Sequence, residues 1–166
     1  MTKTRFIGDV HGHVNDMKRL IDNTPDSIES IVQVGDLGVG FGQGEYWHQK
    51  LNEYFVANRT FFLRGNHDNP EIAAGFDNHL PGGVFNDFFI VPGAWSIDQQ
   101  MRIEGRSWWP DEQLSIAELN VLIDTYEMLR PDIMVTHDIA SSASSEIFFR
   151  EGRPLYMRNQ YKTVTA

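Results

Sequence analysis

Four short apolar runs in this sequence each end on residues able to bind a cation. Thr4 to Ile7 leads into Gly8-Asp9-Val10-His11, and Ile31 to Val34 into Gly35-Asp36. Thr60 to Leu63 leads into Arg64-Gly65-Asn66-His67-Asp68, and Ile133 to Val135 into Thr136-His137-Asp138. Apolar runs this short, bounded by turn residues, read as buried strands. Helical spacing separates the first three: Val14, Met17, Leu20 and Ile21 within His13 to Asn23, then Trp47, Leu51, Tyr54 and Phe55 within Tyr46 to Asn58. Strands alternating with helices predict an α/β layered domain. Ligands collect at the carboxyl ends of strands in such sheets. The pattern therefore predicts that Asp9, His11, Asp36, Asn66, His67 and His137 meet at one rim.

The rest of the chain supports one domain over 1–166, with no internal repeat and no linker long enough to divide it. Gly38 to Gly44 reads as a loop, and it lacks the Gly-Lys-Ser/Thr ending of a nucleotide cradle. Pro70 to Gly83 reads as irregular. Phe88 to Val91 and Ala94 to Ile97 read as short strands around Pro92-Gly93, with Gln100 to Ile103 able to pair with them. Ser115 and Glu118 have capping-box spacing, predicting a helix to about Met128 that Pro131 stops. After Ala140 a serine-rich stretch leads into a polar tail.

Composition narrows the chemistry. With no cysteine, disulfides, thiolate metal sites and thiol nucleophiles are excluded. A metal would be held by oxygen and imidazole nitrogen, which suits Mn, Fe, Zn, Ni or Mg better than softer ions. The formal net charge of −9 repels phosphate backbones and argues against non-specific nucleic-acid binding. No window has the length of apolar sequence that a membrane span needs, and the N-terminus shows no signal-peptide core. The expectation is a cytoplasmic protein with no membrane partner.

Each motif has a plainer reading when taken alone. Gly-Asp after a strand is a common turn, and a single histidine is more often a hydrogen-bonded side chain than a ligand. Their occurrence together, in order, after buried strands, reverses that balance. The blocks Gly8-Asp9-Val10-His11-Gly12, Gly35-Asp36, Gly65-Asn66-His67-Asp68 and Thr136-His137 resemble those of the calcineurin-like metallophosphoesterases, from the N-terminus to about Asp138. Trp108-Trp109-Pro110-Asp111-Glu112 resembles, more loosely, a segment of small bacterial and phage members, and identifies no chemistry.

The resemblance implies a sandwich of mixed β-sheets flanked by helices. It implies two divalent cations, Mn²⁺ foremost: Asp9 and His11 on the first, Asn66 and His137 on the second, and Asp36 bridging both. A metal-bridging hydroxide would attack phosphorus in a phosphate mono- or diester. His67 would protonate the leaving group, with Asp68 holding its ring. Substrates of the implied class are phosphoproteins, nucleotides or small phosphate esters, in a bacterium or a phage-infected cell.

The sequence departs from the family pattern in one respect. None of its six histidines follows His137, so the usual Gly-His-x-His block is missing. The expectation is a fold incomplete on its C-terminal side, weaker metal binding, and an unpaired sheet edge that favours homo-oligomers. A truncation, a natural short form, or completion of the site by another chain or by His13 each fit. The rival function is a catalytically impaired binding module on the same scaffold.

Other residues carry paired readings. Arg64 either approaches phosphate or forms a surface ion pair. His13 begins its helix or contacts substrate. Trp108 and Trp109 pack, or floor a substrate cleft. Asp138 shapes a turn, and His48 and His79 are structural or exposed.

Overall fold

The computed structural model describes residues 2–139. The serine-rich stretch and polar tail lie outside the described residues. Three strands, β1 (Thr4–Ile7), β2 (Ser30–Gln33) and β3 (Thr60–Phe62), form a parallel sheet in the order β1-β2-β3. Parallel neighbours need crossovers rather than hairpins. Helices α1 (Val14–Asp22) and α2 (Glu45–Ala57) supply them. Every residue of β2 is buried, so both of its faces are covered. Ile31 packs with Met17, Leu51 and Phe55 on the helix side, while Val32 joins Leu63, Phe88 and Ile90 on the other. Successive strand residues point to opposite faces, which is why adjacent residues enter different cores.

The second sheet comprises β4 (Gly83–Phe85), β5 (Phe88–Val91) and β6 (Met134–Thr136). Strands β4 and β5 are antiparallel, joined through Asn86-Asp87 with Asn86 at φ 52°, and β6 runs parallel to β5. Phe88 and Ile90 face the first sheet. Phe89 faces away and meets Tyr126 edge-on, with ring centroids 5.4 Å apart. Tyr126 belongs to α4 (Ile116–Leu129). The layers thus run helices, sheet, sheet, helix, in agreement with the layered α/β sandwich expected.

Helix α4 begins as the sequence predicts. The Ser115 hydroxyl accepts from the Glu118 amide at 3.2 Å, and the Glu118 carboxylate accepts from the Ser115 amide at 2.7 Å. It ends at Arg130, held at φ 45° before Pro131.

Three local expectations are corrected. Ala94 to Ile97 is not a strand: the Ser96 amide is donated to Glu112 Oε1 at 2.8 Å and is unavailable to a ladder. Around Gln100 the chain winds into a 3₁₀ turn, Gln99–Met101, rather than extending. Within Pro70 to Gly83 lies a short helix, α3 (Pro70–Ala74), with Asn69 capping the Ile72 amide at 3.1 Å and Pro70 in the first turn. Among the described residues no helix is long and apolar enough to cross a membrane.

Candidate metal centre

The loops after β1 and β2 are locked through the backbone of one residue. The Asp36 carbonyl accepts from the Val10 amide at 3.0 Å and the His11 amide at 2.8 Å. His11 and Asp36 both sit in the left-handed region, at φ 46° and 55°. Non-glycine residues held there cost on the order of 1 kcal/mol or more each and cluster where geometry serves function.

The Asp36 side chain is buried and faces two ways. Oδ1 accepts from the His67 amide at 2.8 Å and lies 3.2 Å from His137 Nε2. Oδ2 lies 3.5 Å from His11 Nε2, which is itself 3.8 Å from Asp9 Oδ2. One carboxylate therefore stands between an Asp9–His11 pair and a second group of donors.

That second group is Asn66 and His137. His137 donates Nδ1–H to the Val34 carbonyl at 2.8 Å, which leaves Nε2 as the atom presented to the site. Nε2 lies 3.3 Å from Asn66 Oδ1 as well as 3.2 Å from Asp36 Oδ1. Two acceptor oxygens and one ring nitrogen converge, and a single ring proton serves only one oxygen well. Donors about 2.0–2.2 Å from a shared cation lie roughly 3–3.5 Å from one another, so these separations suit a divalent ion. His11, Asp36 and His67 also hold ligand atoms within 4.8 Å of one another. The donor set, oxygen and imidazole nitrogen, fits hard and borderline cations.

A cavity of about 370 Å³ opens over this cluster. Its lining includes His11, Asp36, Asn66, His67 and His137 together with Trp95, Ile97 and Asp98.

The family model described as Calcineurin-like phosphoesterase matches residues 2–160. This chain belongs to that family. No curated protein matches it. Membership makes the chain one of a family of phosphate-ester hydrolases that generally bind divalent metals, and the donors just described supply a rim suited to them.

Among the other residues of this phosphoesterase-family chain, Asp68 and Arg64 fall elsewhere than expected, while His13 and Trp109 take their plainer readings. Asp68, expected to hold the His67 ring, is fully buried and accepts instead from the amides of Leu37 (3.2 Å), Gly38 (2.7 Å), Val39 (3.2 Å) and Gly65 (2.8 Å). It pins the loop after β2 to the loop after β3. Burial pushes its pKa up to about 6, against the pull of those amides. Arg64 is neither a surface ion pair nor part of the cavity lining. It is buried, and its guanidinium donates to the Glu112 carbonyl. His13 stands at the start of α1 and lines a separate cavity with Trp47, Lys18 and Arg19. Trp109 is buried edge-on against Phe41 at 5.2 Å, a packing role, while Trp95 is the tryptophan that lines the cavity.

Sequence reasoning missed Arg102. Its Nε pairs with Asp98 at 2.9 Å, and Nη1 donates to the carbonyls of Asn66 (3.2 Å) and Ser107 (3.3 Å). Nη2 lies against the His67 ring, in contact with Nε2 and 3.0 Å from Nδ1. Arginine has donors only, so the ring nitrogen it meets must accept. Burial lowers the His67 pKa; Asp36 opposes this, and Arg102 and His11 add to it. The i,i+4 spacing of Asp98 and Arg102 was the only hint in the sequence.

His137 gives the centre a pH signature without metal. Burial alone would lower its pKa, but the bond and charge of Asp36 and the Val34 carbonyl raise it to about 9 from an ordinary 6.5. The Asp36 carboxyl is correspondingly lowered: burial works against this, and His137 and His67 outweigh it. A raised histidine pKa gives stability that is full below about 6.5 and is lost as pH climbs through about 9. The depressed Asp36 pKa gives stability lost only as pH falls below the ordinary carboxylate range. With chelator present, Tm should fall by several degrees between these two pH values, and His137→Asn should flatten that slope. Equal slopes in the two proteins would show that the pair is not formed.

Proposed function

We propose that this chain hydrolyses a phosphate mono- or diester with two divalent cations at the Asp36 rim, Mn²⁺ first, with Fe, Zn, Ni or Mg as alternatives. The observation that carries this reading is the placement of Asp36, with Oδ2 toward His11 and Oδ1 toward His137. Asp9 and His11 would hold one cation, Asn66 and His137 the other, and Asp36 both. Cations bound there would supply Lewis acidity at the phosphoryl oxygens and a water made acidic near neutral pH.

The chain's own groups do the rest. A water gives one proton to solvent, its hydroxide oxygen forms the new bond to phosphorus, the ester P–O bond breaks, and the leaving oxygen takes a proton from His67. Arg102 now faces the His67 ring, which disfavours a protonated ring. A bound phosphate offers that guanidinium a charged acceptor, stronger than a neutral nitrogen. Movement of Arg102 toward it would let His67 carry the proton it must give. The apolar wall of Trp95 and Ile97 would lie against the organic part of the ester.

The test is turnover with Mn²⁺ of p-nitrophenyl phosphate against bis-p-nitrophenyl phosphate, which separates monoesterase from diesterase. A protein shown to hold Mn²⁺ that turns over neither would defeat the catalytic reading and favour a binding module. His67→Ala should lower kcat by about 10²–10⁴, the range for loss of a general acid, with Mn²⁺ content retained.

A further inference from the structure

Trp108-Trp109-Pro110-Asp111-Glu112 was singled out in the sequence without a chemical task, and its last residue is among the most deeply buried charges in the structure. Glu112 is 1% exposed, and both its oxygens are engaged by one residue. Oε1 accepts from the Ser96 amide at 2.8 Å, and Oε2 accepts from the Ser96 hydroxyl at 2.8 Å. Ser96 is also fully buried, and its Oγ in turn accepts from Asn66 Nδ2 at 3.0 Å. Asn66 Oδ1 then lies 3.3 Å from His137 Nε2.

We propose that Glu112, acting through Ser96, fixes the orientation of the Asn66 amide so that its oxygen, not its nitrogen, faces the cation site. This rests on the reading of Asn66 as a cation ligand. The two ends of a carboxamide are nearly the same size, so shape alone does not choose between them. Proton counting does. A hydroxyl has one proton, and the Ser96 proton is committed to a carboxylate that can only accept. Ser96 Oγ is left as an acceptor toward Asn66. Only the NH₂ end of Asn66 satisfies it, which turns the oxygen to the rim. An amide nitrogen turned there instead would offer a cation two protons and no lone pair.

Glu112 and Ser96 are positioning residues, since neither touches the rim. They are held from behind: the Arg64 guanidinium donates to the Glu112 carbonyl, and the Arg64 carbonyl accepts from Gly93 at 2.7 Å. This gives Arg64 a structural task in the same relay.

The test is Mn²⁺ titration of the full chain, followed by calorimetry and by the electron paramagnetic resonance signal of free Mn²⁺. Glu112→Gln preserves shape but puts a donor beside Ser96, which frees the hydroxyl proton to turn toward Asn66. One of two Mn²⁺ affinities should fall by about 10–100-fold, the usual effect of losing a partner that orients a ligand. Ser96→Ala, which adds no bulk and removes the relay atom, should give the same loss if Glu112→Gln folds poorly. Asn66→Asp supplies oxygen at both ends and needs no orientation. Combined with Glu112→Gln it should bind better than the two single losses predict, because the freed Ser96 proton can meet the new carboxylate. A structural role for Glu112 would give no such rescue.

Unchanged affinity in folded Glu112→Gln or Ser96→Ala, while the wild type binds two Mn²⁺, would overturn this inference and leave the proposed function standing. A wild type that binds none of Mn²⁺, Fe²⁺, Zn²⁺, Ni²⁺ and Mg²⁺ would overturn both.

Discussion

Asp36→Asn should leave a folded protein that holds Mn²⁺ poorly and loses turnover by on the order of 10⁴ or more. The fold should survive because Asn tolerates left-handed backbone, and Asp36 sits at φ 55°. The amide oxygen can still accept from the His67 amide, the bond Asp36 makes at 2.8 Å. What it cannot do is present an oxygen on both sides. Asp36 Oδ2 and Oδ1 face His11 and His137 respectively, and an amide turns nitrogen toward one of them. The negative charge between the two donor groups is also gone. Cation catalysis supplies several kcal/mol, and each 1.36 kcal/mol is tenfold in rate, so losing both ions reaches the stated magnitude. Metal analysis of the purified variant with its kcat checks this. Wild-type metal content and rate would remove Asp36 from the centre.

The second large effect comes from a residue with no side chain. Gly65→Ala should cost at least about 10³ in activity and 1–3 kcal/mol in stability, the range for overpacking a filled interior. A Cβ on Gly65 would stand 2.2 Å from Asp36 Oδ1, 2.5 Å from the Asp36 amide nitrogen and 2.6 Å from His137 Nε2. The methyl would occupy the space where two proposed ligands approach each other. Gly8 is the control. It belongs to the Gly-Asp-x-His block, yet a Cβ there meets nothing within 4 Å, so Gly8→Ala should be nearly silent. Assay and thermal melting of the two variants separate the cases. Equal effects would mean that the glycines serve the turns and not the site.

The parallel sheet was legible because its strands are short, apolar and closed by glycine-containing turns, and the helices between them carry clear spacing. Convergence of Asp9, His11, Asp36 and Asn66 followed from strand polarity, whereas His137 joins them from the second sheet. The second sheet was less legible. β4 is only three residues, Gly83–Phe85, and none of them is fully buried. Ala94 to Ile97 has strand-like composition, yet Ser96 spends its amide on a carboxylate 16 residues away, which no local pattern encodes. Asp68 misled for the same reason. Its neighbour in sequence is His67, but its four amide partners bring three residues from the loop after β2. The Asn69-Pro70 cap of α3 was written in the sequence and overlooked. Arg102 and Glu112 gain meaning only through tertiary contacts.

Asp9, His11, Asp36 and Asn66 follow strands of the first sheet, whereas His137 follows β6 of the second, with its ring on the carbonyl of Val34, 103 residues earlier in the chain. An ion bonded to both groups would act as a rivet through the layers of the sandwich. Its binding energy would then resist separation of the sheets, adding about 2.7 kcal/mol when the ion is present at a hundred times its Kd. In such a molecule the reagent for chemistry is also a fastener, and the supply of metal sets how firmly the two layers are held together.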